Sequence, residues 1–138
     1  MDLGDLRKLT QSEAAAVVAG FEAGEGAQAL VSRTPSVRGF LGALIEHRLW
    51  SDAVRTLAFA LPPREGVWWA CVAARGSLPP NAPPPVLACL EAAEAWVYRP
   101  SDEGRRAVFP LAEALGFDSP TAYAALAAFW SGGSLAPV

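Results

Sequence analysis

Two adjacent tryptophans beside a double proline constrain this chain more than any other feature. The stretch Leu61-Pro-Pro-Arg-Glu-Gly-Val-Trp-Trp-Ala-Cys71 contains a helix stop, a helix start and the pair Trp68 and Trp69. Neighbouring residues on an α-helix point about 100° apart, so one narrow apolar stripe cannot be centred on both indoles. The stretch therefore predicts a helix that is buried on more than one side, or one whose second indole faces a partner.

The composition is that of a globular protein. The 138 residues are 52% hydrophobic and 18% charged, which separates the chain from the disordered class and suits one domain with its own core. The net charge is −3 and no cationic cluster is larger than Arg105-Arg106, so we expect no nucleic-acid partner. The apolar run 14–20 is too short for a signal peptide or a membrane span. We therefore expect a cytoplasmic protein with no membrane span.

Capping residues and prolines divide most of the chain into helices. Apolar residues recur with helical spacing after each candidate N-cap, while β-branched residues are sparse and do not alternate with polar ones. Gly116 ends one helix, and the proline-rich stretch 79–85 separates two others. The candidate N-caps are Thr10 in a capping-box spacing with Glu13, Thr34 before Pro35, Ser51, Ser101, and Ser119 before Pro120.

This punctuation predicts an all-α fold. About six main helices form three antiparallel pairs over residues 35–61, 63–99 and 101–131, and one or two short helices precede them. The connectors are short and no residue-level repeat relates the pairs. These features favour a compact bundle, with a short helical solenoid as the alternative.

The predicted organisation is a single domain with two less tightly packed ends. We expect residues 1–33 to form a loosely packed helical segment that lies against the bundle. Residues 34–131 are expected to form the bundle core, and the Ser-Gly-rich residues 132–138 a flexible tail.

The residues that normally carry catalysis are few. His47 is the only histidine, and the neighbouring Glu46 points away from it on the helix, so it cannot orient the ring as a general base requires. Asp102 stands at i+3 and i+4 spacing from Arg105 and Arg106, which is typical of surface ion pairs. No metal-ligand spacing and no phosphate-binding loop is present. We expect no enzymatic activity, no cofactor and no metal.

The two cysteines, Cys71 and Cys89, lack the spacing of a zinc or redox motif. We interpret them as small buried hydrophobes, and a disulfide between neighbouring helices is the alternative. A thiol-dependent enzyme would need Cys71 exposed, with a stabilised thiolate. Trp68 shares a helix face with Cys71 and Trp96 shares one with Cys89, so we expect both tryptophans in the core. These four residues would line an internal pocket if the bundle contains one.

Trp69 is the candidate anchor for a partner protein. It falls beside Ala73 and Gly76, whose small side chains would let another helix approach closely, and tryptophan is enriched in binding hot spots. With Arg64 and Ala73 it forms the predicted partner-binding set, and the partner is another protein or a second copy of this chain. The stretch 79–85 also has PxxP-like spacing, for which a stiff connector is the simpler interpretation.

Five segments carry a resemblance to known sequences: Asp52-Ala-Val54, Leu61-Pro-Pro-Arg-Glu65, Val67-Trp-Trp-Ala-Cys71, Ala92-Ala-Glu-Ala-Trp96 and Phe129-Trp-Ser-Gly-Gly-Ser134. Together they resemble a family of uncharacterised small helical proteins from bacteria, associated with type VI secretion gene clusters. The resemblance implies an accessory or adaptor role beside a secretion apparatus and assigns no catalytic residue. We therefore expect a non-enzymatic interaction module, such as an adaptor or chaperone-like accessory. The alternative is a bundle that binds a small molecule or lipid in an apolar pocket.

Overall fold

A computed structural model describes residues 3–4 and 6–132 of the chain. Within these residues the backbone forms eight α-helices and no β-strand, which confirms the predicted all-α fold. Most of the predicted tail, residues 133–138, lies outside the described residues. The helices are α1 (Ala14–Val18), α2 (Glu25–Val31), α3 (Val37–Glu46), α4 (Trp50–Ala60), α5 (Pro63–Gly76), α6 (Pro84–Tyr98), α7 (Asp102–Ala114) and α8 (Pro120–Trp130).

The chain divides into two compact units, and the boundary falls between Pro62 and Pro63. The first unit contains α1 to α4 and the second contains α5 to α8. The boundary lies at the double proline because a proline lacks the N–H that would continue α4, whereas Pro63 is tolerated in the first turn of α5. The domain limits at residues 33 and 131 stay predictions.

The core of the first unit includes residues from all four of its helices. Ala14 of α1 and Ala27 of α2 are fully buried in one apolar cluster with Phe40 and Leu44 of α3. Ala60 of α4 is also fully buried in this cluster. The short N-terminal helices therefore contribute to the same core as the predicted pair α3 and α4.

The prediction that Thr34 caps α3 is wrong. The helix begins at Val37, and Ser36 is its N-cap. The reason is an antiparallel backbone bridge between Glu13 and Ser36, which keeps the chain extended up to Ser36. Thr34 instead donates its hydroxyl hydrogen to the carbonyl oxygen of Leu30, at 2.8 Å, near the end of α2.

Ser51 and Thr10 also fail to cap the helices that their spacing predicts. The turn after α3 is only three residues long, so α4 begins at Trp50 and Ser51 lies inside its first turn. Thr10 donates both its backbone N–H, at 2.8 Å, and its hydroxyl, at 3.0 Å, to the carbonyl oxygen of Ala60. A contact with a distant element thus replaces the local capping contact.

In the second unit, α6 and α8 each pack against the other three helices, and α8 has the more extensive contacts. Its buried residues include Ala122, Ala125 and Ala128, whose small side chains allow the neighbouring helices to approach closely. The predicted caps are confirmed here. The hydroxyl oxygens of Ser101 and Ser119 accept backbone N–H groups at 3.0 and 3.2 Å.

Candidate interaction surface

The buried stripe of α5 runs through Val67, Cys71 and Ala74, which stand at i, i+4 and i+7. Trp68 lies one position, or about 100°, away from this stripe, and 39% of it is exposed. Val72, one turn further along, is 52% exposed. The buried residues Val67 and Cys71 come directly before the exposed side chains of Trp68 and Val72. The prediction that Trp68 belongs to the core is therefore wrong.

Trp69 lies two positions, or about 200°, after Val67, so it is on the side of α5 opposite the buried stripe. It is half-buried, and the following small residues on its side of the helix, Ala73 and Gly76, are exposed. A Cβ atom added to Gly76 would meet no atom within 4 Å. The small residues predicted to admit another helix are accessible, and the role of Trp69 as a partner anchor stays a prediction.

Arg64 and Arg75 join α5 to α6 in different ways. The Arg64 guanidinium donates to the carbonyl oxygen of Val97 at 2.6 Å and to that of Tyr98 at 3.4 Å. A cation at a helix C-terminus satisfies carbonyl groups that have no partner inside the helix. Arg75 forms two parallel hydrogen bonds with the Glu94 carboxylate, both 2.7 Å long. The sequence assigned Arg64 to a partner, whereas the structure places its guanidinium on the end of α6.

Arg64 thereby holds the end of α6 beside Trp68. The rings of Trp68 and Tyr98 meet edge to face, with centroids 6.1 Å apart and an interplanar angle of 68°. Tyr98 is 71% exposed. We call Trp68, Val72 and Tyr98 the aromatic patch. Sequence reasoning missed Tyr98 as part of this surface because its ring meets Trp68 across 30 positions of the chain, and no local pattern encodes such a contact.

A third exposed aromatic residue, Trp130, lies at the same end of the second unit. The end of α6 and the start of α7 are separated only by residues 99–101. Arg105, in the first turn of α7, donates to the carbonyl oxygen of Phe129 at 2.7 Å and so holds the end of α8 nearby. Large aromatic side chains are thus exposed at the end of the unit where α5 starts and α6 and α8 finish.

The two cysteines are buried and free. Burial raises the pKa of Cys71 to about 11, with a further contribution from the negative charge of Glu94, and burial also raises the pKa of Cys89. Cys71 therefore keeps its proton at neutral pH, in contrast to the exposed, stabilised thiolate that a thiol-dependent enzyme requires. Burial also confirms the placement of Trp96 in the core.

Cys71, Cys89 and Trp96 belong to one packed apolar cluster, whereas 39% of Trp68 is exposed. The four residues together are the predicted lining of an internal pocket. The existence of such a pocket stays a prediction.

The polar candidates are engaged in helix-end contacts. Hydrogen bonds from Arg105 and Arg106 hold the pKa of the Asp102 carboxyl below its usual range. Nδ1 of His47 lies 2.8 Å from the carbonyl oxygen of Ala43, one turn earlier. Over residues 3–4 and 6–132, no three His, Cys, Asp or Glu side chains gather closely enough to hold a metal ion. In the same part of the chain, no helix has both the length and the apolar character needed to span a membrane.

The sequence model of a family of unknown function, DUF6931, matches residues 40–138. The chain belongs to this family. The part that matches DUF6931 begins within α3 and includes α4 and the whole second unit, so it contains the aromatic patch. The resemblance to an uncharacterised family is thereby confirmed. No curated protein and no solved structure matches the chain.

Proposed function

We propose that this protein is a non-enzymatic interaction module that serves as a cytoplasmic adaptor or chaperone-like accessory of a bacterial secretion system. The exposed pair of Trp68 and Tyr98 carries the proposal of an interaction module. The secretion role rests on the resemblance of the sequence to proteins associated with type VI secretion gene clusters. The buried, protonated Cys71 supports a function without covalent catalysis.

The aromatic patch has the properties of a binding hot spot. Aromatic side chains bury a large apolar area on association, and the indole N–H and phenol O–H groups can each hydrogen-bond to a partner. The rings of Trp68 and Tyr98 contact each other, and Arg64 hydrogen-bonds to the end of α6, which carries Tyr98. Both contacts restrict the orientations of the two rings before a partner binds. A preorganised surface loses less conformational entropy on binding, which strengthens the affinity.

The test compares substitutions at the two ends of the second unit. Tagged full-length protein is purified from a bacterium that expresses the gene, bound proteins are quantified, and the affinity of the captured partner is then measured by calorimetry. We expect Trp68→Ala to raise the Kd about tenfold or more, because truncating a hot-spot tryptophan costs at least about 1.4 kcal/mol. Trp69→Ala should also weaken binding and leave the domain folded.

Tyr123→Ala is the matched control, since Tyr123 is 56% exposed but lies in the first turn of α8, away from the patch. It should leave the partner's affinity unchanged. A partner that binds all three variants equally would remove the aromatic patch from the proposal. A Trp69→Ala variant that unfolds would identify Trp69 as a core residue.

A further inference from the structure

The connector between α5 and α6 is a turn whose surface consists mainly of proline. The stretch 79–85 contains five prolines, and all five are exposed. The N–H of Ala82 donates to the carbonyl oxygen of Pro79 at 3.1 Å, which closes the turn. Pro83 follows in the polyproline II conformation, with a φ of −60° and a ψ of 145°. Because each ring restricts its own φ, the prolines are held in a fixed arrangement on the surface. We call this stretch the proline turn.

The middle of the proline turn carries carbonyl groups without a hydrogen-bond partner. Within residues 3–4 and 6–132, no N–H or hydroxyl group donates to the carbonyl oxygen of Pro80, Asn81 or Ala82. Proline has no N–H of its own, so the turn accepts hydrogen bonds and has few groups that donate them. A surface that binds the turn must therefore supply hydrogen-bond donors beside apolar rings.

The aromatic patch supplies both of these features. The rings of Trp68 and Tyr98 are exposed and meet edge to face. The indole N–H and the phenol O–H have no acceptor among the described residues. Aromatic-lined grooves are the surfaces on which SH3 and WW domains bind proline-rich segments, and a proline segment loses little conformational entropy when it binds. The patch and the proline turn are therefore complementary in hydrogen bonding and in ring packing.

The two surfaces cannot meet within one molecule, because they lie at opposite ends of the pair formed by α5 and α6. Pro84 begins α6 and Tyr98 ends it, which separates these residues by about 21 Å along the helix axis. Trp68 precedes Gly76, the last residue of α5, by about 12 Å along its own helix. A contact between the patch and the proline turn must consequently join two copies of the chain.

We propose that the aromatic patch binds the proline turn of a second copy of this chain. The inference rests on the proposed function, since it names the partner of the same patch. The indole N–H of Trp68 and the phenol O–H of Tyr98 donate to the carbonyl groups of the turn, and the proline rings pack against the aromatic rings. Because the two surfaces differ, the copies join head to tail and the assembly grows past a dimer, as an open chain or a closed ring.

Sedimentation velocity of the full-length chain tests the proposal. We expect the average mass of the wild type to rise with concentration beyond that of a dimer. Trp68→Ala removes the patch, and the double substitution of Pro79→Ala and Pro80→Ala removes two rings of the turn while it keeps the Pro79 carbonyl group. Each should weaken association about tenfold or more. Tyr98→Ala is a second variant of the patch, and circular dichroism checks that every variant remains helical.

A mixture of the two defective chains gives the sharpest measurement. The Trp68→Ala chain keeps its proline turn and the double proline variant keeps its patch. The mixture should therefore form a 1:1 dimer and nothing larger, although neither chain associates alone. Tyr123→Ala and Pro35→Ala are the matched controls, since both residues are exposed and lie outside the two surfaces. Both controls should assemble as the wild type does.

Three results would overturn the proposal. A wild type that stays monomeric at the highest soluble concentration would exclude a second copy as the partner. A mixture that gives no dimer would exclude the pairing of patch with turn, and association that persists in Trp68→Ala and Tyr98→Ala would exclude the patch. If a different protein bound a monomeric wild type and lost affinity with Trp68→Ala, this inference would fail while the proposed function stood.

Discussion

Arg48 adopts a left-handed backbone conformation that glycine normally provides. Its φ is 58°, and it follows α3, where its N–H donates to the carbonyl oxygen of Ile45 at 3.0 Å. The N–H of Leu49 donates to that of Leu44 at 2.8 Å, which completes the hydrogen-bonding pattern of a Schellman motif. Gly116 has the same role after α7, with a φ of 81°. The left-handed position after α3 is therefore strained because it holds an arginine, whereas the same position after α7 holds a glycine and is not strained.

Replacing Arg48 with glycine should stabilise the protein. A side chain in the left-handed region costs about 1 kcal/mol, and Arg48→Gly removes this cost while it keeps both hydrogen bonds. We expect the free energy of unfolding, measured by urea denaturation, to rise by about 1 kcal/mol or somewhat less. The gain is reduced because glycine gives the unfolded chain more conformational entropy than arginine does.

Gly116→Ala is the matched control, because it introduces the same strain at the equivalent position and should lower the free energy of unfolding by a similar amount. If Arg48→Gly instead destabilised the protein, the Arg48 side chain would have to contribute more to the folded state than its backbone strain costs.

At the scale of helices, Arg105 connects the start of α7 to the end of α8. Only 3% of its side chain is exposed. Its guanidinium donates to the Asp102 carboxylate at 3.0 Å and to the carbonyl oxygen of Phe129 at 2.7 Å, and it lies 5.5 Å from the centre of the Phe129 ring. Arg106 hydrogen-bonds to the same carboxylate at 2.8 Å but is more exposed. The two adjacent arginines thus differ in burial and in what they join.

Arg105→Ala should lower the free energy of unfolding by about 2 kcal/mol or more, since it removes hydrogen bonds from a charged group and leaves the end of α8 without its donor. Arg106→Ala should lower that energy by less, because 25% of the Arg106 side chain and 58% of the Asp102 side chain are exposed and solvent weakens their ion pair. Parallel thermal and urea denaturation of the two variants measures the difference. Equal effects would show that Arg105 contributes only the exposed pair with Asp102.

A capping residue next to a proline predicts the start of a helix correctly at α7 and α8 but not at α3. Ser119 before Pro120 and Ser101 after Pro100 locate the starts of α8 and α7, because these local signals agree with the packing. Thr34 fails because a backbone bridge between distant residues keeps the chain extended past it. Ser51 lies inside α4, since the turn that precedes this helix is short. Such tertiary effects leave no local signal in the sequence.

The candidate site was predictable only in part, for a similar reason. The double tryptophan indicated that α5 has two apolar sides, and the structure shows a buried stripe and an exposed Trp68. The sequence assigned Trp68 to the core because it shares a helix face with Cys71, but that spacing also fits a residue at the edge of the buried stripe. The buried alanines of α8 fix the register by packing against α5, and this contact joins residues about 50 positions apart.

At the scale of the whole molecule, the segment that matches the family does not begin at the boundary between the two units. The second unit starts at Pro63, whereas the match to DUF6931 starts at residue 40 and includes α4. The second unit nevertheless has its own apolar cluster, in which Leu90, Val108 and Cys89 are fully buried. The helices that share this cluster are α5, α6, α7 and α8, so all of its members lie within the unit.

We therefore expect residues 63–138 to fold without the first unit. A chain of this length can bury enough apolar surface to be stable, and the helix ends are satisfied by residues of the same unit, such as Arg64 for α6 and Arg105 for α8. The isolated fragment should give a helical circular dichroism spectrum and a cooperative thermal transition. Trp68→Ala should preserve the transition because Trp68 is outside the cluster, and Leu90→Asp should abolish it by placing a charge in the core. A fragment that is helical but melts without cooperativity would mean that the second unit depends on residues before Pro63.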